Sequence, residues 1–230
     1  MIRSVQTIDV YLEVGKKRTF AGAIEWPGWC RSGRDEESAL EALYTYAPRF
    51  SKSLGSLRPT FQAPSDISAF VVIERIAGNP TTDFGAPDKS PSSDIRPVEE
   101  TELQRYQEML MAFWGAFDNA RTAARGKELR KGPRGGGREL EGILQHVLGA
   151  DRAYLGKIGG KVKAVEELNP DEELRRTRQV ILDALAAAVH GEMPAQGPRG
   201  GSRWTPRYFV RRSAWHVLDH AWEIEDRSGR

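Results

Sequence analysis

His216 and His220 stand four residues apart in the stretch His216-Val-Leu-Asp-His220. On an α-helix that spacing sets two imidazoles on one face, close enough to share a metal ion. A site that keeps coordination positions open for water or substrate takes three protein ligands, and His146 is the candidate for the third. A divalent ion on three neutral imidazoles supplies Lewis acidity and lowers the pKa of a water or thiol beside it. Zinc suits such a set, and nickel and other divalent ions also bind it. The same spacing fits histidines that are merely half-exposed polar residues, and spacing alone leaves both readings open. His190 reads differently. It precedes Gly191 at a helix end, where an imidazolium is favoured by the helix dipole.

Other residues could serve this chemistry. Asp219, three residues after His216, is a candidate acceptor that would orient an imidazole N–H; its alternative is a plain surface acid. Tyr154 and Glu223 are further polar groups that could converge on the ion, while Tyr154, Trp215 and Trp222 either line a ligand pocket or fill the core. One loop sequence occurs twice, as Gly-Pro-Arg-Gly-Gly-Gly-Arg at 132–138 and Gly-Pro-Arg-Gly-Gly-Ser-Arg at 197–203. Its arginines, Arg134, Arg138, Arg199 and Arg203, are candidates to bind a phosphate or carboxylate with help from the helix N-termini that follow. Cys30, between Trp29 and Arg31 and ahead of a helix, is either an activated thiol or a small buried hydrophobe.

The elements that must position these groups follow from periodicity. Beyond residue 97 the pattern is helical only. Segments run over about 98–125, 138–158, 169–190 and 205–226, the third capped by Asn169 before Pro170 and the fourth by Thr205 before Pro206. Helices of this length with short connections predict an antiparallel four-helix bundle, alternating up and down. In that topology the second and fourth helices start at the same end. His146 then lies about 13 Å along one, and His216 and His220 about 16 and 22 Å along the other, at compatible levels. Both arginine loops fall at that end, which should be strongly basic. The apolar stripe of the fourth helix centres on Val210, Ala214, Val217 and Ala221, which puts the histidines on its rim, as in a cleft site.

The first 78 residues read as a small ββαβ unit: alternating strands over 5–14 and 18–26, a helix that Asp35 caps with Glu36 and Glu37 in its first turn, and a strand over 69–76. Residues 79–97 carry Pro80, Pro87, Pro91 and Pro97 and read as a linker or long surface loop. Residues 98–230 form the helical domain, so the fold class is α+β.

Composition narrows the function classes. The 230 residues carry a formal charge of +2 and a single cysteine, which excludes an internal disulfide and suits a reducing, cytoplasmic setting. No run approaches the ~18 apolar residues of a membrane span, and the opening residues lack the apolar core of a signal peptide. No membrane partner is expected. No aromatic platform or base-reading motif accompanies the basic loops, so nucleic acid is not the expected partner. A homodimer is the default assembly.

Two stretches resemble known families. Arg207-Tyr-Phe-Val-Arg-Arg-Ser-Ala-Trp-His-Val-Leu-Asp-His-Ala-Trp-Glu-Ile-Glu-Asp-Arg227 resembles the last helix of DinB-like bundles, and Ile143-Leu-Gln-His-Val-Leu-Gly-Ala-Asp-Arg-Ala-Tyr-Leu155 resembles their second. The resemblance covers about residues 98–228. It implies a divalent metal on His146, His216 and His220, and a superfamily that includes transferases and isomerases using low-molecular-weight thiols such as mycothiol or bacillithiol. The segment from Gly22 to Leu40 more weakly resembles the HicB-like domain of antitoxins. The expectation is a metal-dependent thiol transferase or isomerase acting on a small anionic substrate. The alternative is a non-catalytic metal- or ligand-binding stress or regulatory protein whose N-terminal domain contacts a partner.

Overall fold

The computed structural model describes residues 7–131, 137–163, 168–194, 196–197 and 200–229. The chain divides into two compact units, Met1–Arg96 and Pro97–Arg230.

β1 (Ile8–Val14) can be covered on both faces, since Val10, Tyr11, Leu12 and Glu13 are all buried. It pairs antiparallel with β2 (Thr19–Ala23) and parallel with β4 (Phe70–Ala77), and β3 (Cys30–Gly33) completes the order β3-β2-β1-β4. Gly22 faces Tyr11 across the β1–β2 ladder, and a Cβ there would lie 2.4 Å from the tyrosine ring, so the ring occupies the space a side chain would need. The sequence predicts three strands here; the fourth, β3, is a four-residue edge strand with too little alternation to announce itself.

Asp35 caps α1 (Glu36–Thr45) by accepting from Ser38 N at 2.9 Å. The single helix expected from Asp35 is two: α1 stops at Thr45, and α2 (Ala47–Ser53) restarts with Pro48 in its first turn, where the missing N–H has no partner to lose. Under them Trp29 donates to Leu43 O at 3.0 Å, stacks on Phe50 and meets Phe61 and Phe70 edge-on, the centre of an aromatic core.

Residues 79–95, read from composition as linker or surface loop, are tied to the sheet. Asn79 caps the short helix α3 (Pro80–Phe84). The buried carboxylate of Glu13 accepts from Thr82 Oγ1 and from the backbone N–H groups of Asp88 and Lys89, each of these two at 3.0 Å. Glu74 on β4 accepts from Ser92 N at 2.8 Å. Carboxylates of two strands thus hold the proline-rich segment.

The second unit is helical, with α4 (Glu100–Ala124), α5 (Leu140–Ile158), α6 (Pro170–Val189) and α7 (Pro206–Ser228). Thr205 caps α7 through Tyr208 N, and Asn169 caps α6 through Glu172 N at 3.0 Å, as their sequences predict. No helix among the described residues is long and apolar enough to cross a membrane. α7 packs on α4 and α5 and is buried almost all round, Phe209, Val210, Trp215, Val217 and Trp222 included. A helix in that position is ordinarily apolar, yet α7 also buries Arg207, Arg211, Arg212, His216 and His220.

The helix directions differ from simple alternation. Trp204 N, just before α7, donates to Lys157 O near the end of α5, and Arg130 N, just after α4, donates to Arg227 O near the end of α7, both at 3.0 Å. Arg121 on α4 meets Asp171 at the start of α6 at 2.9 Å, and Glu100 meets His190 at the end of α6 at 3.1 Å. α7 therefore runs parallel to α4 and antiparallel to α5, while α5 and α6 run the same way. The 159–169 connection makes this possible: its eleven residues can reach about 36 Å when extended, more than the roughly 28 Å length of α5. Arg138, just before α5, and Arg203, just before α7, consequently lie at opposite ends of the helical unit, so among the described residues no single end collects both.

Candidate metal centre

His146 sits on the second turn of α5, and His216 and His220 on consecutive turns of α7. With α5 and α7 antiparallel, His146 lies about 9 Å from the start of its helix, and His220 and His216 about 12 and 18 Å from the end of theirs. The levels match despite the reversed direction, because His146 lies about as far from the start of α5 as His220 lies from the end of α7.

The imidazoles converge. One ligand nitrogen from each of the three lies within 4.8 Å of the others, a cluster that could hold a metal ion. Nε2 of His146 and Nε2 of His216 are 3.2 Å apart. Two nitrogens bound at about 2.05 Å to a tetrahedral ion are separated by about 3.3 Å, so this pair already has the spacing of two ligands on one ion. The ring centroids are 5.1, 4.9 and 4.7 Å apart for the pairs 146–216, 146–220 and 216–220.

Burial sets the charge state. His216 and His220 are only 6 % and 9 % exposed, and His146 is half-buried, so the α7 histidines lie inside the unit instead of on the rim of a stripe. Burial first, then the neighbouring charges of His220 and Arg138, hold the His146 pKa below its usual value. Burial, with His220, Arg212 and His146 beside it, holds His216 well below. Both rings are kept neutral near pH 7, the form that can ligate a metal.

The surroundings of each ring differ. His220 Nδ1 contacts Glu223 at 2.7 Å, and Glu223 accepts from Arg227 Nη1, also at 2.7 Å. A ligating histidine commonly donates its other N–H to a carboxylate in this way. His216 Nδ1 is buried without a hydrogen-bond partner; packing orients the ring, with Tyr154 edge-on at 5.6 Å and Trp215 at 6.2 Å.

The remaining expected residues separate. Asp219 is half-buried on α7, and the carboxylate on His220 Nδ1 is that of Glu223. Arg138 is exposed just before α5, and its charge acts on both His146 and His216. Arg203 is at the far end of α5, donating to Pro194 O at 2.6 Å and Gly156 O at 3.4 Å, with its guanidinium 2.9 Å from where a Cβ on the left-handed Gly159 would stand. Gly156 follows His146 by ten residues, about 15 Å along the helix, so Arg203 serves the α5 terminus. Arg134 and Arg199 lie outside the described residues. Cys30 is buried on β3. His190 ends α6 and pairs with Glu100. Trp222 is buried in the core, while Trp215 and Tyr154 border the cluster.

Two residues beside the triad carry no role in the sequence reading: Arg227, which holds Glu223, and Arg212, four residues before His216. Helical spacing places both on the histidine side of α7, and that spacing was the available signal.

Compared with known proteins, the chain matches no family model, no curated protein and no solved structure.

Proposed function

We propose that the second unit is a DinB-like four-helix bundle that binds one divalent ion through His146, His216 and His220. The observation that carries this is the 3.2 Å approach of two Nε2 atoms within a three-imidazole cluster. Zinc or nickel best suits three neutral imidazoles. What an ion supplies on such a set is Lewis acidity and open positions at which a water or thiol loses its proton near neutral pH. His220 is oriented by Glu223, and Arg138 adds positive charge that would draw in an anion. The activity this supports is metal-dependent transfer or isomerisation with a low-molecular-weight thiol and a small anionic substrate, in a cytoplasmic protein.

Elemental analysis of protein purified without a polyhistidine tag is expected to find about one divalent ion per chain. The His216→Ala, His220→Ala double variant is expected to hold none. Wild-type protein that carries no ion and gains no thermal stability from Zn²⁺ or Ni²⁺ would rule the reading out.

A second reading is a non-catalytic ligand-binding or regulatory protein, with the N-terminal unit contacting a partner or a second copy. It is favoured by Glu223, which already serves His220 and Arg227 and is poorly placed to shuttle protons. Turnover assays of metal-loaded protein with mycothiol, bacillithiol and glutathione separate the two; absence of turnover with all three selects the binding reading.

A further inference from the structure

Arg212 is 8 % exposed, and its Nη1 is buried with no hydrogen-bond partner. A guanidinium cannot escape burial by losing its proton, and a buried charge without a counter-ion is costly. Two other buried arginines of this unit, Arg207 and Arg178, meet that cost with carboxylates. Arg207 is paired with Glu102 and also bonds Tyr106 Oη at 2.9 Å and Pro97 O at 2.8 Å. Arg178 forms a bidentate pair with Asp118 at 2.6 and 3.0 Å.

Arg212 instead packs on aromatic rings. Its Cζ lies 5.4 Å from the Tyr154 ring centroid and 4.7 Å from that of Trp215. Cation–π contact of this kind stabilises the charge, but a ring face gives an in-plane N–H no acceptor. Both aromatics also border His216. Arg212 is one helical turn before His216 on α7, and its positive charge reaches that imidazole. A guanidinium with a buried, unpartnered Nη1 therefore stands one helical turn from His216, packed on the same two aromatic rings that border it.

We infer that Arg212 anchors a carboxylate group of the small molecule that occupies the His146–His216–His220 site, with Tyr154 and Trp215 holding the guanidinium in place. The planar fork of arginine matches a carboxylate edge to edge. The recognition of the anion thus moves from the surface loops into the α5–α7 interior. The inference rests on the metal-centre reading for what holds the rest of the ligand, while the need of Arg212 for an anion stands on its own burial.

The test uses full-length protein, wild type and the variants Arg212→Gln and Arg212→Lys, with succinate and inorganic phosphate as probes. Metal content is measured first on each protein. Binding is then followed by tryptophan fluorescence and calorimetry, with and without Zn²⁺. Succinate is expected to bind wild type and raise its Tm. Arg212→Gln is expected to lose at least tenfold in succinate affinity while keeping its ion. Its ligand-free Tm should equal or exceed that of wild type, since an uncompensated charge has gone; a purely structural arginine would give a lower Tm. Arg212→Lys, which keeps the charge and loses the fork, is expected to fall between. Equal succinate affinity in wild type and Arg212→Gln overturns the inference. So does a wild type that prefers phosphate, which would assign the edge to a phosphate group. If no protein holds an ion, the metal reading fails alone, and Arg212-dependent succinate binding to the metal-free chain still supports the anchor.

Discussion

His220 Nδ1 lies 2.7 Å from a carboxylate oxygen of Glu223, three residues on along α7. A neutral His220 therefore carries its proton on Nδ1 and donates it to Glu223, which leaves Nε2 as the nitrogen with a free lone pair. Glu223 is itself held. Its other oxygen accepts from Arg227 Nη1 at 2.7 Å, and Arg227 Nε donates to Arg130 O at 2.8 Å. Burial pushes the Glu223 pKa up, but the hydrogen bonds from His220 and Arg227 and the charge of Arg227 outweigh it and keep the carboxyl below its usual value. Arg130, just after α4, thus helps hold the carboxylate that orients a histidine on α7.

Glu223→Gln keeps the shape and removes the charge that orders this tautomer. Loss of such a partner typically weakens metal affinity by 10–100-fold, and that range is expected here with the fold retained. Competition against a chromophoric chelator for Zn²⁺ measures it. An unchanged affinity would show that His220 is oriented by packing, as His216 is.

Glu102 tests the buried charge of Arg207. Removing one partner of a buried ion pair costs about 3–5 kcal/mol, because the other charge remains unpaired. Glu102→Ala leaves Arg207 with only Tyr106 Oη and Pro97 O. Chemical denaturation is expected to show a loss in that range. Adding Arg207→Met should recover most of it. A double variant as unstable as the single one would mean that the loss comes from packing around Tyr106.

Glu13 is the anchor of the proline-rich segment. In Glu13→Ala the Thr82 hydroxyl and the amides of Asp88 and Lys89 lose their acceptor together. Native-state hydrogen exchange should speed up at Asp88 and Lys89 by at least tenfold, while the paired amides of β1 and β2 keep their protection. Uniform loss of protection through the first unit would instead make Glu13 part of the global core.

What could be read from the sequence was local. Thr205-Pro206 starts α7 and Asp35 starts α1 because a cap is a contact between residues three apart. The His216–His220 pair was legible for the same reason. Helix direction was not, because the 159–169 connection is long enough to cross the unit and its composition does not say whether it does. The expected basic end failed with it, since Arg203 is drawn to the α5 terminus by carbonyls of Gly156 and Pro194. Amphipathicity also misled at α7. Periodicity puts His216 and His220 on the rim of an apolar stripe, but a helix packed on both α4 and α5 has no such rim, and both side chains are buried. β3 was too short and polar to show alternation, and the hold of Glu13 on residues 82–89 is a long-range contact that composition cannot carry.

Asp151 supplies the pH dependence. It is fully buried on α5 with Oδ2 unpartnered, and burial, opposed in part by the charge of Arg178, pushes its pKa from 3.8 up to about 7. The folded state then binds the proton more tightly than the unfolded chain. Stability is greatest with Asp151 protonated, falls as pH rises from about 4 to about 7, and stays low above that. A shift of this size corresponds to about 4 kcal/mol. Asp151→Asn removes the titration and keeps the shape. In metal-free protein its Tm should match wild type near pH 4.5 and exceed it at pH 8. Parallel Tm-versus-pH curves for the two proteins, measured by calorimetry, would show that Asp151 ionises freely in the folded state.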